Sequence, residues 1–167
     1  IICYDIRDLG KQLLPVGMLV VLDSVFNRVI RNRKLGRNTW IYIDEIYLLF
    51  QHEYSANFLF TLWKRVRKYG ACATGLTQNV DDLLQSHTAR TMLANSEFLV
   101  MLNQAATDRV ELARLLNISD NQLSYITNVD FGHGLLKCGS AIVPSADSFP
   151  QHTRLFKLMT TRLKDLA

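Results

Sequence analysis

The sequence has 167 residues, of which 49% are apolar and 20% are charged. This length suits one domain, so we expect a single domain over residues 1–167, and the composition excludes an intrinsically disordered chain. No apolar run approaches the ~20 residues of a membrane-spanning helix, and the first residues lack the regions of a signal peptide. We therefore expect a soluble, cytoplasmic protein.

The net charge of +4 is concentrated in two short stretches that hold nine of the 19 Lys and Arg residues. The first basic segment contains Arg28, Arg31, Arg33, Lys34 and Arg37, and the second contains Lys64, Arg65, Arg67 and Lys68. Each segment is either a solvated helix end or a contact for phosphate or an acidic neighbour, and the sequence leaves both interpretations open.

The cysteines and histidines suggest no metal site. The three cysteines are Cys3, Cys72 and Cys138. They are odd in number, lie in apolar stretches and form no Cys-x-x-Cys pair, which predicts buried free thiols in a reducing compartment. The four histidines are far apart and lack metal-ligand spacing, so we assign none of them to a metal.

The first part of the chain predicts a strand followed by a helix. Residues 1–6 are rich in branched and aromatic side chains, which are typical of a strand. The chain begins inside this run and without Met, so we expect it to be part of a longer protein. Apolar residues at helical spacing then extend from about Leu14 into the first basic segment, with Pro15 in the first turn and Gly36 as the stop.

Two further strands are predicted on either side of a helix. Residues 39–43 form a continuous apolar run, typical of a strand buried on both faces, and the run ends abruptly in Asp44 and Glu45. A helix is predicted over residues 54–69, and a strand over residues 71–76 that stops at Thr77 and Gln78.

The second half continues with helices and strands. We predict a helix over residues 88–95, a strand over residues 98–102 and then a helix with Thr107 as its N-cap. Ser119 and Gln122 have the spacing of a capping box for one more short helix.

The chain ends with a predicted hairpin and a last strand. Residues 135–138 and 141–143 form the hairpin, joined by Gly139 and Ser140 in a type II′ turn, and residues 155–159 form the strand. Strands separated by helices indicate an α/β fold with a mainly parallel sheet, helices on both faces and an antiparallel edge hairpin.

In such sheets ligands bind at the carboxyl ends of the strands, where Asp44, Glu45 and Gln78 fall. Two neighbouring carboxylates repel each other, and Mg²⁺ with nucleotide phosphates would remove that conflict. In P-loop ATPases the first acid of such a pair (Walker B) holds the metal, and the second polarises the water that attacks the γ-phosphate. The alternative is that Asp44 caps the following turn and Glu45 is solvated.

Other polar residues near strand ends have matching chemistry. Gln78 suits a sensor, because a neutral amide can orient the attacking water without adding charge. Arg65 or Arg67 could insert into the nucleotide site of a neighbouring subunit and neutralise transition-state charge, or could simply stabilise a helix end. Asn103 and Gln104, after a later strand, are further polar candidates.

The phosphate-binding loop Gly-x-x-x-x-Gly-Lys-Ser/Thr is missing from residues 1–167. Gly70, Gly75 and Thr77 have the right spacing, but Leu76 replaces the lysine and the segment is predicted as a strand. Either the chain is not a P-loop protein, or the loop lies upstream of Ile1.

Several motifs in order carry a family resemblance. They are Ile41-Tyr42-Ile43-Asp44-Glu45, Arg65-Val66-Arg67-Lys68-Tyr69-Gly70, Thr77-Gln78-Asn79-Val80-Asp81-Asp82-Leu83-Leu84, and Leu93-Ala94-Asn95-Ser96 with Leu115, Leu116 and Leu123. Together they resemble the VirB/TraC-type ATPases of conjugation and type IV secretion.

This resemblance implies a RecA-like P-loop NTPase of the FtsK/HerA class, with residues 1–167 as the C-terminal portion of a motor domain truncated at the N-terminus. It implies ATP and Mg²⁺ as cofactors, self-association into hexamers or other oligomers, and other type IV secretion components as partners. It also implies DNA or nucleoprotein as a substrate and a peripheral position at the inner face of the bacterial membrane.

Carried over by position, Asp44 is the Walker B metal acid and Glu45 is the catalytic acid. Gln78 is the sensor glutamine, which also contacts nucleotide, and Arg67, followed by Arg65, is the arginine-finger candidate. The parent is then an ATPase, whereas residues 1–167 alone are expected to be inactive without the phosphate loop.

Two alternatives come from other classes of protein. One is a non-catalytic oligomerisation or docking module on the same fold, which the missing loop favours for residues 1–167. The other is a phospho-acceptor receiver domain, which would need a further Asp and a Lys after other strands. The sequence offers Asp44 but no convincing set of such partners.

Overall fold

The computed structural model describes residues 1–6, 8–10, 12–78 and 80–160. The chain divides into two compact units, Ile1–Asn95 and Ser96–Ala167, and each is described by itself. The assignment of residues 1–167 to one portion of a motor domain stays a prediction.

The first unit begins with the long helix that the sequence predicts. Helix α1 spans Leu14–Lys34 with Pro15 in its first turn. Its last turn carries three residues of the first basic segment, whose positive charge complements the helix dipole. Gly36, with a φ of +68°, lies in the turn that follows. The predicted helix and its stop are confirmed.

A parallel pair of strands follows. Strand β1 spans Thr39–Ile43 and strand β2 spans Ala71–Gly75, and the two run side by side with Thr39 opposite Ala71 and Ile43 opposite Gly75. Helix α2, Glu53–Val66, connects them and is continued by a 3₁₀ turn that ends at Gly70, whose φ is +65°. This predicted strand–helix–strand unit is confirmed.

Short helical pieces complete the first unit. A 3₁₀ helix, Ile46–Phe50, follows β1, and helices α3, Val80–Gln85, and α4, His87–Ala94, follow β2. Helix α4 matches the predicted helix, and the Ser86 hydroxyl caps it by accepting a hydrogen bond from the Ala89 N–H. Helix α3 was not predicted, because six residues are too few to show a helical period.

The core of the parallel pair lies on one face of the strands. Ile41 and Ala71 pack there against Val29 of α1 and against Leu62 and Val66 of α2. The opposite face carries the most exposed side chains of β1, those of Trp40 and Tyr42, which are 66% and 68% exposed. The expectation that β1 is buried on both faces is therefore wrong, because α1 and α2 cover the same face.

Residues 1–6 do not form the predicted strand. Among the described residues, β1 and β2 pair only with each other, so the first segment has no strand partner for its backbone groups. It is instead tied to α1 through a hydrogen bond of 2.9 Å between the Tyr4 and Ser24 hydroxyls.

The second unit is built around an antiparallel sheet. Strands β3, Phe98–Met101, β4, His133–Cys138, and β5, Ala141–Ala146, lie in that order. The predicted hairpin has a two-residue turn in which Gly139 has a φ of +56° and Ser140 does not have a positive φ. A type II′ turn requires a positive φ at the first of its two central residues only. Strand β3 was expected in the parallel sheet, but here it pairs antiparallel with β4.

Two α-helices and the 3₁₀ helix Ser124–Ile126 lie between β3 and β4 in the described part of the chain. Helix α5 spans Ala106–Leu116 with Ala105 at the N-cap, so the prediction of Thr107 as the cap is wrong because the helix starts earlier. Helix α6, Asp120–Leu123, begins with the predicted capping box of Ser119 and Gln122.

The last described element is helix α7, Arg154–Met159, where the sequence predicted a strand. The Thr153 hydroxyl accepts a hydrogen bond of 3.2 Å from the Phe156 N–H and thereby caps the first turn. Local capping therefore decided a segment whose apolar pattern was too short to distinguish a strand from a helix.

The three cysteines are free, as expected, but all are exposed. Cys72 lies on the uncovered face of β2, opposite Trp40, and Cys138 ends β4. The prediction of buried thiols is wrong, for Cys72 because neighbours in sequence alternate between the two faces of a strand. Within the described residues, no helix combines the length and hydrophobicity needed to cross a bilayer.

We predict that Leu62→Ala lowers the free energy of unfolding by about 2–5 kcal/mol, because Leu62 is 1% exposed and the substitution leaves a cavity between α2 and β1. The measurement is urea unfolding followed by circular dichroism. The matched control is Val20→Ala on α1, where a 63% exposed side chain should cost no more than about 0.5 kcal/mol. Equal effects of the two substitutions would contradict the described core.

Candidate active site

The candidate site lies where β1 and β2 end. Because the strands are parallel and Ile43 pairs with Gly75, both strands reach the same edge, which we call the carboxyl edge. Asp44 and Glu45 follow β1 directly, and Gln78 follows β2 after two residues. The topology therefore brings Gln78 to the same edge as Glu45 and Asp44, which precede it by 33 and 34 positions in sequence.

The main chain of Leu76 bridges the two sides of the acid pair. Its N–H donates to the Ile43 carbonyl at 2.8 Å, and its carbonyl accepts from the Ile46 N–H at 2.9 Å. Asp44 and Glu45 thus form a short loop whose flanking residues are both hydrogen-bonded to Leu76, the residue directly after β2.

Glu45 adopts a left-handed backbone conformation inside this loop, with φ +46° and ψ +49°. A residue with a Cβ loses about 1–2 kcal/mol in this region, so the surrounding hydrogen bonds must hold it there. The Glu45 N–H donates to Oδ1 of Asp44 at 3.1 Å. The left-handed turn also starts the 3₁₀ helix Ile46–Phe50.

The Glu45 carboxylate reaches across to the neighbouring strand end. Its Oε2 accepts a hydrogen bond from the Gln78 backbone N–H at 3.5 Å. Glu45 is half-buried, whereas Asp44 and the Gln78 side chain are exposed. Asp44 accepts a hydrogen bond from the adjacent Glu45 N–H, which does not cap the following 3₁₀ helix, and Glu45 is not simply a solvated side chain. Asn79, within the same motif, lies outside the described residues.

The donor set suits Mg²⁺ held together with a phosphate ligand. Carboxylate oxygens are preferred by this ion, which usually binds one or two carboxylates and completes its shell with phosphate and water. In the described part of the chain, no group of three His, Cys, Asp or Glu side chains could hold a metal. Asp44 and Glu45 could therefore contribute to such a site without forming a closed protein cage.

Arg65 and Arg67 lie at the other end of the strands. They belong to the last turn of α2 and the 3₁₀ turn after it, and that turn leads into the first residue of β2. The four residue steps from Ala71 to Gly75 span roughly 13 Å. The structure therefore does not bring either arginine to Asp44 and Glu45 of the same chain.

The first basic segment lies beside the second. Asn32 of α1 donates to the Thr39 hydroxyl at 2.9 Å, and the Thr39 N–H donates to the Gly70 carbonyl at 3.2 Å. A Cβ on Gly70 would lie 3.7 Å from a guanidinium nitrogen of Arg33, so the two segments meet there. All nine cations are exposed. We call this surface, at the amino ends of β1 and β2, the basic edge.

Asn103 and Gln104 follow β3 in the second unit. Gln104 is engaged locally, because its side-chain amide donates to the Leu102 carbonyl at 3.1 Å and its N–H donates to the Ile126 carbonyl at 3.0 Å. The interpretation of these two residues as further polar candidates stays a prediction.

Sequence reasoning missed the residues that shape the acid loop. Leu76 and Ile46 act through their main chains, which no residue type signals, and Gly75 was considered only as part of a rejected phosphate-loop match. The one available clue to the hydrogen bonds of Leu76 was the parallel register of β1 and β2, because residues that follow paired strand ends continue the hydrogen-bond ladder.

Comparisons with known proteins agree with this architecture. A family model described as the TraG P-loop domain matches residues 2–133, and this match confirms the resemblance carried by the ordered motifs. A comparison with curated proteins gave no match.

Among solved structures, VirB4 of Thermoanaerobacter pseudethanolicus is similar, with a TM-score of 0.76 and 24% sequence identity. The likeness covers 86% of this chain and 39% of the VirB4 chain. It confirms the predicted α/β fold of the P-loop NTPase type, and this chain spans well under half of that relative.

Proposed function

The chain belongs to the TraG P-loop domain family, and on that premise we propose that it is part of an ATP-hydrolysing motor that energises conjugative DNA and protein transfer through a type IV secretion system. One observation carries the proposal. The Glu45 carboxylate, at the end of β1, meets the Gln78 backbone at the end of β2. A catalytic acid and a polar sensor side by side at a carboxyl edge are what γ-phosphate hydrolysis needs.

The roles follow from position and exposure. Asp44, exposed at the tip of the loop, would hold Mg²⁺ through its carboxylate. The chemistry that the ion would supply there is neutralisation of charge on the terminal phosphates of ATP. Glu45, half-buried and fixed by the left-handed turn, accepts a proton from the attacking water. The exposed Gln78 amide orients that water without adding charge.

The phosphate cradle must come from outside these 167 residues, since no Gly-x-x-x-x-Gly-Lys-Ser/Thr sequence occurs in them. Residues 1–167 then supply the hydrolytic half of the nucleotide site and lack the half that grips the phosphates. Alone they are inactive, and the intact parent is the ATPase.

Opposite charges at the two ends of the strands support self-association. The carboxyl edge carries Asp44 and Glu45, with Asp81 and Asp82 in the first turn of α3. The basic edge carries nine exposed cations, and residues 24–43 and 54–80 contain no Asp or Glu. Surfaces of opposite charge at opposite ends favour head-to-tail contacts, which close into rings such as hexamers. Arg67, or Arg65, would then enter the neighbour's nucleotide site.

The remaining partners are other type IV secretion components and a DNA or nucleoprotein substrate. Cations of the basic edge left free in the assembly suit phosphate groups of nucleic acid, which arginine contacts in a bidentate manner. On the premise of the TraG P-loop domain family, we also place the protein at the inner face of the membrane through the secretion complex.

A second candidate function is a non-catalytic oligomerisation or docking module. The absence of the phosphate loop from residues 1–167 and the exposed strand face of Trp40 and Tyr42 favour it for this segment considered alone. The two candidates differ in whether Glu45 is needed for turnover in the intact protein.

We expect Glu45→Gln in the intact protein to reduce ATP turnover by about 10²–10⁴-fold, because the amide cannot accept the proton of the attacking water. Nucleotide affinity should remain near that of the wild type. Phosphate release measures the first quantity and calorimetry the second. Glu53→Gln, at the exposed start of α2, is the matched control and should behave as the wild type. Turnover retained by Glu45→Gln would favour the docking module.

Mixing subunits tests the role of Arg67. We expect Arg67→Ala and Glu45→Gln homo-oligomers each to be nearly inactive, whereas mixed oligomers regain part of the turnover. In a mixed ring, Arg67 of a Glu45→Gln subunit faces an intact acid pair in its Arg67→Ala neighbour. The Arg65→Ala variant in the same mixture identifies which arginine acts, and Lys68→Ala is the control. A lack of recovery in both mixtures would exclude an arginine supplied by the neighbour.

For the 167-residue chain itself, we expect calorimetry with Mg-ATP to detect no binding tighter than about millimolar, because the phosphate cradle is missing. The intact protein is the positive control in the same buffer. Micromolar affinity of the short chain would show that these residues alone bind nucleotide.

A further inference from the structure

We infer that Gly75 is a positioning residue for the acid pair. Its missing side chain leaves the space in which Ile46 packs, and this packing holds the adjacent Glu45 in the conformation that directs its carboxylate to Gln78. The inference rests on the proposed catalytic role of Glu45 and adds a residue to that site.

The contact at Gly75 is unusually close. A Cβ built on Gly75 would lie 2.5 Å from Cδ1 of Ile46, 3.2 Å from its Cγ2 and 3.4 Å from its Cβ. Real Cβ atoms essentially never approach another heavy atom closer than 3.0 Å. Gly75 is not among the glycines with a positive φ, so close approach and not backbone conformation requires a glycine here.

Ile46 has little freedom to move away from an added methyl group. It is 6% exposed and packs in the core with Met18 and Leu22 of α1 and Leu59 of α2. Its N–H is also held by the Leu76 carbonyl. Rotation of Cδ1 alone would leave Cγ2 and Cβ of Ile46 at 3.2 and 3.4 Å from the new methyl group, so relief of the contact also requires a shift of the Ile46 backbone.

Glu45 precedes Ile46 directly, so a shift of the Ile46 backbone acts on the left-handed turn. The contact between the Glu45 carboxylate and the Gln78 N–H is already 3.5 Å long, at the outer limit of a hydrogen bond. A displacement of a few tenths of an ångström would break it. Because catalytic groups must be placed to well within 1 Å, turnover should be more sensitive than binding.

Other glycines of the same unit provide the contrast. A Cβ on Gly10 would have no atom within 4 Å, and its φ is not positive. Substitution by alanine should therefore be harmless at Gly10 and harmful at Gly75, although both residues are glycines outside the left-handed region.

The test uses the intact ATPase that contains these residues. We expect Gly75→Ala to lower kcat by about 10–100-fold while KM for ATP and nucleotide affinity stay within about 3-fold of the wild type. Ile46→Val removes the Cδ1 atom that the new methyl group meets, so the double variant Gly75→Ala/Ile46→Val should recover kcat to within about 3-fold of Ile46→Val alone. Gly10→Ala is the control, and Tm is recorded for every variant.

Wild-type kcat in Gly75→Ala, or no recovery in the double variant, would overturn the inference. If Gly75→Ala does not fold, the double variant tests the inference instead. The inference then requires the double variant both to fold and to hydrolyse ATP. If turnover falls only as far as Tm does, with kcat per folded molecule unchanged, Gly75 has a packing role and the inference is wrong.

Glu45→Gln in the same assay separates this inference from the proposed function. If the Glu45→Gln variant retains turnover, the proposed function is wrong. If Glu45→Gln loses turnover while Gly75→Ala keeps it, only the inference about Gly75 is wrong.

Discussion

The two main-chain hydrogen bonds of Leu76 connect the fold of the first unit to its chemistry. They join Leu76 to Ile43 and Ile46, the residues on either side of the acid pair. A loop of two residues closed in this way has few conformations, and one of them places Glu45 in the left-handed region. The cost of that conformation, of order 1–2 kcal/mol, is offset by the hydrogen bonds and by the buried Ile46 side chain. Stability and orientation of the acids therefore depend on the same contacts.

Parallel pairing of β1 and β2 has a second consequence, which is the separation of charge. Helices that precede two parallel strands end at the amino ends of those strands, so the cations that stabilise the ends of α1 and α2 collect at one edge. The acids that follow the strands collect at the opposite edge. A single structural motif thus produces a unit with one acidic and one basic end. This polarity supports the head-to-tail assembly that we propose.

The exposed face of the parallel pair is a further feature of the first unit. Trp40 and Tyr42 alternate with the buried Ile41, as in a strand that has a core on one side and no cover on the other. Parallel strands in α/β proteins are normally covered on both faces. The related VirB4 chain is more than twice as long as the part this chain matches. This face therefore stays exposed within the part of the chain that the structure describes.

The sequence by itself determined the type and order of most elements, because periodicity, Pro15, Gly70 and the capping box at Ser119 act locally. It also identified the family and the residues that end β1 and β2. Only the tertiary structure decided which strands pair and that helices cover one face of β1. It also decided that the arginines lie far from the acids of their own chain, and that Ile46 packs in the space that a side chain at Gly75 would occupy. These features depend on contacts between residues distant in sequence and on main-chain groups, which are the same for every residue type.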